Sequence, residues 1–188
     1  MDVTSRTMLL GSILVADVAN PRPEDVDLQF MRYRLGAVTR FSNHPAALTI
    51  AEHQKLCGHL ARHMGCSAEV VEWAEHHDDH EFATGDLATP LQHAIAAGTL
   101  NSVQRAWDAA IVVALGLTLP TTKTRLEVAV IDRVALALEW RWALGRDLAE
   151  LGATGVAATL GKDEALFNGG VPAGRRDELR HGRILLGA

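Results

Sequence analysis

Ile50, His53, Cys57, Leu60 and Met64 follow one another at intervals of three and four residues, which returns them to one face of an α-helix and sets a histidine in the middle of an apolar stripe. Asp132 repeats the pattern, because Val128, Ala129, Ala135 and Leu136 share its helical face. A chain with such faces must pack helix against helix, and each ionisable group so placed needs a donor or a cation to meet it. Composition agrees with helices. Apolar residues make up 48%, mainly Ala, Leu and Val, whereas aromatics are only 5%, which suits closely packed helices better than a sandwich of strands. At 188 residues the expectation is an all-α, single-domain helical bundle over 23–150, with an N-terminal lead over 1–22 and a C-terminal extension or oligomer contact over 151–188.

The lead reads as irregular or hairpin-like, and Pro23 with Glu24 and Asp25 suits the first turn of a helix running to Ala37. Arg40 to Pro45 is a loop, and the helix carrying His53 starts near Thr49 and closes at Gly65. Ser67 caps a further helix that is expected to continue through the polar run Glu75-His76-His77-Asp78-Asp79-His80-Glu81 and to end at Gly85-Asp86. Two helices follow near 91–98 and 101–116, and Pro120 precedes a long helix from about Lys123 to Ala149 that contains Asp132. Beyond Leu151 the periodicity fades into a basic stretch with Arg175, Arg176, Arg180 and Arg183. Gly155 to Lys162 is not a phosphate loop: five residues rather than four separate its glycines, and Asp163 stands where Ser or Thr is required.

Several function classes are disfavoured. A net charge of −5 argues against binding a nucleic-acid polymer, which relies on Lys and Arg displacing counterions. Cys57 and Cys66 lack zinc-site spacing and fit a reducing cytoplasm. The apolar run Ala109 to Pro120 is shorter than the roughly 20 residues a membrane span takes. Met8 to Ala19 lacks the layout of a signal peptide, so a cytoplasmic location is expected.

His77 and Asp78 are neighbours, about 100° apart on a helix, so both can lean toward one ion. Glu81 returns to the face of His77, where it can orient or deprotonate a water, and Asp86 can approach from the loop. Imidazole and carboxylate together suit a divalent ion such as Mn, Co, Fe, Zn or Mg, with His53, His77, Asp78 and Asp132 as ligands. Rival pairs exist in His59 with His63 and His76 with His80, for which surface placement is the simpler reading. His53 alone would read as a hydrogen-bonded core histidine, and the Glu75 to Glu81 run alone as a solvated face. Trp107, Trp140 and Trp142 read as core or interface side chains.

The order His53, then His77-Asp78, then Asp132 on a separate helix resembles the HD superfamily of metal-dependent phosphohydrolases. Ala51-Glu52-His53, His77-Asp78-x-x-Glu81 and Gly85-Asp86-Leu87-x-Thr89-Pro90-Leu91 are similar to segments of bacterial 5′-deoxynucleotidases and phage HD hydrolases, among them dATP triphosphohydrolases. Asn20-Pro-x-Pro-Glu-Asp-Val-Asp and Arg40-Phe41-x-x-His44 are similar to the phage type, and the likeness spans roughly residues 11 to 145. The resemblance implies a metal held by His53, His77, Asp78 and Asp132, water attack assisted by Glu81 and Asp86, and nucleotide contact by Arg40 and Phe41. Gln54, His76 and Gln92 depart from the pattern, standing in place of a Ser, an apolar residue and a Lys. The expected activity is phosphate hydrolysis on a deoxynucleotide, with monophosphate and triphosphate substrates both open. Homo-oligomerisation is expected by analogy, and the alternative is a non-catalytic helical protein that binds a metal or a nucleotide.

Overall fold

The computed structural model describes residues 6–94 and 97–185. The expected all-α architecture holds, preceded by one small hairpin whose strands Met8–Leu10 and Ile13–Val15 pair antiparallel. Gly11 makes that hairpin possible: its φ is +60°, and a Cβ there would lie 2.7 Å from Phe30. Pro23–Asp25 forms only a 3₁₀ turn, because Asp27 takes over as cap by accepting from the Phe30 N–H and starts the helix Leu28–Ala37.

Two helices carry most of the frame. Ile50–His63 opens on a capping box in which Thr49 accepts from the Glu52 N–H and Glu52 accepts from the Thr49 N–H. Thr122–Leu138 packs against it and against Ala68–Ala74, which Ser67 caps as expected. Between them run Glu81–Thr84, Thr89–Ala94 and Ala97–Leu115, near the expected pair of helices, although residues 95 and 96 lie outside the described range. None of the described helices is long and apolar enough to cross a membrane.

The long helix ends earlier than its sequence implies. After Leu138 the chain widens into a π-turn over Glu139–Ala143 and stops at Gly145, whose φ of +71° no helix continues through; Asp147 then caps the short helix Leu148–Leu151. The segment expected as an extension past Leu151 is built into the body of the protein. It forms Gly155–Leu160, Glu164–Gly170 and Ala173–Leu185, and buries Leu166, Phe167, Val171 and Leu179 in the same core as Leu56, Leu60, Ile131 and Leu138. The first two are six and seven residues long, too short for a 3.6-residue period to show, and the third is mostly polar.

A second apolar cluster joins the hairpin to Met31, Leu35, Ile50, Phe82, Trp107 and Ile111. Trp107 is a core residue, edge-on to Phe82, with its indole N–H donated to the Val18 carbonyl. His53 lies between Ile50 of this cluster and Leu56 and Cys57 of the main core, so the site occupies the seam where the two cores meet.

Arg175 fastens the last helix to the first turn of the His53 helix, donating to Glu52 Oε1 at 2.8 Å and to the Ala47 carbonyl at 3.0 Å. Replacing Arg175 by Ala leaves both acceptors without this donor and is expected to lower stability by about 1–3 kcal/mol. A thermal melt reads this as a drop of roughly 2–4 °C per kcal/mol. An unchanged melting temperature would mean the clasp contributes nothing.

Candidate metal centre

The run Glu75 to Glu81 is not a continuous helix. The backbone N–H groups of His76, Asp79, Glu81 and Phe82 bond to carbonyls three residues back, so the chain tightens into successive turns between Ala74 and Glu81. Asp79 holds these turns in place. It accepts from the Gln54 side-chain amide at 2.8 Å and pairs with His76 Nδ1 at 2.7 Å. Two of the three departures from the HD pattern, Gln54 and His76, therefore meet on one carboxylate and clamp the turn that presents His77 and Asp78. The third, Gln92, donates to the Leu87 carbonyl.

All four proposed ligands converge. His53 Nε2 lies 3.2 Å from Asp132 and 3.6 Å from Asp78, and His77 Nε2 lies 3.4 Å from Asp78 and 3.9 Å from Asp132. Each imidazole has its other nitrogen tied to oxygen: His53 Nδ1 to Glu139 at 2.5 Å, His77 Nδ1 to the Ala74 carbonyl at 3.0 Å. Such outer bonds fix the ring orientation and leave Nε2 facing the shared space, as around a bound metal. His53, Cys57, His77 and Asp132 offer ligand atoms within 4.8 Å of one another, a cluster that could hold a metal ion.

Without a cation the same charges are balanced by protons. Burial opposes a charged His77, yet Asp78 and Asp132 outweigh it and push its pKa up to about 10. Burial and Arg40 oppose a charged His53, but Cys57, Glu139 and Asp132 prevail and hold it well above the usual imidazole range. Burial would raise Asp132, but hydrogen bonds from His53 and His77 keep it well below the usual carboxylate range. The centre thus demands positive charge. Among the described residues, His77 Nε2 and Glu81 Oε2 are buried side-chain atoms of the centre without a hydrogen bond, whereas Arg40 Nε and Glu139 Oε2 face each other as an ion pair at 3.2 Å. Buried polar atoms of this kind suit a site that takes a cation or a water.

The expected apolar enclosure of Asp132 is incomplete, since its side chain remains 38% exposed. It opens, with His77, onto a cleft of about 270 Å³ lined also by His80, Arg105, Asp108 and Arg125. His80 is not on the surface: it is 9% exposed and pairs with Asp108 at 3.0 Å, which in turn meets Arg125 at 3.4 Å. His80 also groups with Asp78 and Glu81 as a second potential ligand set. His59 lies against Gly169 and His63 is exposed, so that rival pair does not form a site.

Glu81 is buried, and burial followed by the charges of Asp78 and Asp86 pushes its pKa up to about 9. Asp86, also raised by burial, faces a different cleft of about 330 Å³ beside Tyr33, Arg34 and Thr39. Arg40 is not a free phosphate ligand. Its guanidinium sits between Asp78 at 3.4 Å and Glu139 at 3.2 Å with a side-chain exposure of 12%. Phe41 packs on Trp140 at a ring distance of 6.0 Å and begins a turn in which Phe41, Ser42 and Asn43 all have left-handed φ values, between 54° and 61°. Non-glycine residues rarely adopt that region, and here the turn delivers Arg40 to the centre.

Sequence reasoning missed Glu139, which is fully buried and touches both His53 and Arg40. A signal existed in its position seven residues after Asp132, two helical turns along the same face. Comparison of the sequence with known protein families and with curated proteins finds no match in either.

Proposed function

We propose that this protein is a metal-dependent phosphohydrolase acting on deoxynucleotides. The observation that carries the reading is the pair of imidazoles, each locked through Nδ1 and each turning Nε2 toward Asp78 and Asp132. His53, His77, Asp78 and Asp132 would hold a divalent cation of the Mn, Co, Fe, Zn or Mg type. When bound, such a cation supplies Lewis acidity, making water acidic near neutral pH and offsetting charge on phosphoryl oxygens.

The chain's own residues supply the remaining tasks. Arg105 and Arg125 line the cleft onto which His77 and Asp132 open, and a guanidinium can meet two phosphate oxygens at once. Arg40 keeps Asp78 and Glu139 in place by charge, a positioning role in this arrangement. Glu81, buried beside Asp78, would assist proton transfer during water attack. Asp86, which lines the cleft beside Tyr33 and Thr39, would be a second carboxylate assisting water attack.

The test is turnover of a panel of dNMPs, dNTPs and ribonucleotides with Mn, Co, Mg or Zn added. The expected result is release from deoxynucleotides, orthophosphate marking a monophosphatase and triphosphate a dNTP triphosphohydrolase. A folded, metal-loaded protein that turns over none of them would overturn the reading and leave a metal-binding protein without catalysis.

A further inference from the structure

Trp142 lines a cavity of about 290 Å³ whose walls include none of the four proposed metal ligands. Three pieces of chain enclose this space. The π-turn and its exit bring Arg141, Trp142 and Gly145, the Glu164–Gly170 helix brings Glu164 and Asn168, and the Ala173–Leu185 helix brings Arg176, Arg180 and Arg183. The last three recur at intervals of four and three residues and so share one helical face.

Charge on the walls is lopsided. Four arginines face one acid, Glu164, in a chain whose net charge is −5. Glu164 reaches only Arg180, at 3.7 Å, and Arg180 also meets Asp177 at 3.8 Å. Arg141, Arg176 and Arg183 have no ion pair among the described residues; Arg141 instead lies over the Trp142 ring at 5.7 Å. Gly145 lets Arg183 come close, since a Cβ there would sit 3.0 Å from its Nη1. Guanidiniums held together without acids repel one another, and a multivalent anion with several acceptor oxygens relieves that repulsion. The volume suits a small, highly charged group.

We infer that this cavity is a binding site for an oligophosphate, separate from the metal centre, in which Arg141, Arg176 and Arg183 grip the phosphates. The shared chemistry is a chain of two or three phosphates, free or as the tail of a nucleotide. This inference does not depend on the phosphohydrolase reading.

Isothermal titration of tripolyphosphate and of a non-hydrolysable dNTP analogue, in EDTA and about 50 mM salt, tests it. Chelation removes metal-assisted binding, so the binding that remains belongs to a site that needs no metal. Arg176→Ser with Arg183→Ser is expected to weaken binding at least tenfold, and Glu164→Gln, which removes the one wall acid, to tighten it severalfold. Arg32→Ser, which removes an exposed arginine of the Leu28–Ala37 helix outside both clefts, should change nothing. Equal affinity for the two ligands identifies phosphate alone as what is recognised, and much tighter binding of the nucleotide adds nucleoside contacts; either supports the site. No binding by wild type at millimolar ligand, or binding that falls no more with Arg176→Ser and Arg183→Ser than with Arg32→Ser, overturns it. Circular dichroism confirms that each variant is folded.

Discussion

If the centre holds a metal and hydrolyses phosphate as proposed, changing Asp132 to Ala is expected to abolish metal binding and reduce phosphate release by roughly 10³-fold or more. The carboxylate lies within 3.2 Å of His53 and 3.9 Å of His77, and it is the ligand most open to the cleft. Because its side chain is 38% exposed, shortening it leaves no closed cavity and the chain should remain folded. Metal per chain by mass spectrometry, measured beside turnover, is the readout. Asp132→Asn separates charge from shape: it keeps a side chain of the same size but removes the negative charge, and should lose nearly as much metal. Full metal content and full activity in Asp132→Ala would remove Asp132 from the site.

Glu139→Ala is expected to lower stability by about 3–5 kcal/mol, because it leaves Arg40 and the fully buried His53 without a shared carboxylate. At roughly 2–4 °C per kcal/mol the melting temperature should fall by about 6–20 °C. Loss of the bond to His53 Nδ1 also frees the imidazole to turn, and metal affinity should drop about 10- to 100-fold. Glu139→Gln retains an acceptor for His53 without the charge on Arg40, so it should lie between the two. A melting temperature within 2 °C of wild type for Glu139→Ala, which is about the effect of 1 kcal/mol, would show that Glu139 is dispensable.

The convergence of His53 and Asp132 was legible because each breaks a local rule. His53 and Asp132 interrupt apolar faces of long helices, where periodicity is clear over several turns, and the structure brings both to one point. Glu139 was not legible in the same way. In Glu139-Trp140-Arg141 it reads as the start of a mixed polar stretch, and its burial arises from a π-turn that no residue in the sequence announces. The polar run around His77 misled for a different reason: its hydrogen bonds shorten from four residues to three under the pull of Asp79 on Gln54 and His76, which are tertiary contacts. The C-terminal helices escaped because two of them are only six and seven residues long and because the third, Ala173–Leu185, is dominated by charged residues and glycines. Arg40 was found as a residue of the site, but its partners, Asp78 and Glu139, depend on a left-handed turn that sequence propensity disfavours.

The clasp between Arg175 and Glu52 joins residues 123 positions apart, and the bond from His53 to Glu139 spans 86. On a ribosome adding about 5–20 residues per second, His53 emerges roughly 4–17 s before Glu139, and Glu52 roughly 6–25 s before Arg175. During that interval the nascent helix has its Thr49 and Glu52 cap but neither the carboxylate that orients its histidine nor the guanidinium that seals its first turn. Assembly of the centre is therefore a late event in the making of this chain, and a polypeptide paused before residue 132 carries His53, His77 and Asp78 as separate groups with nothing to close around an ion.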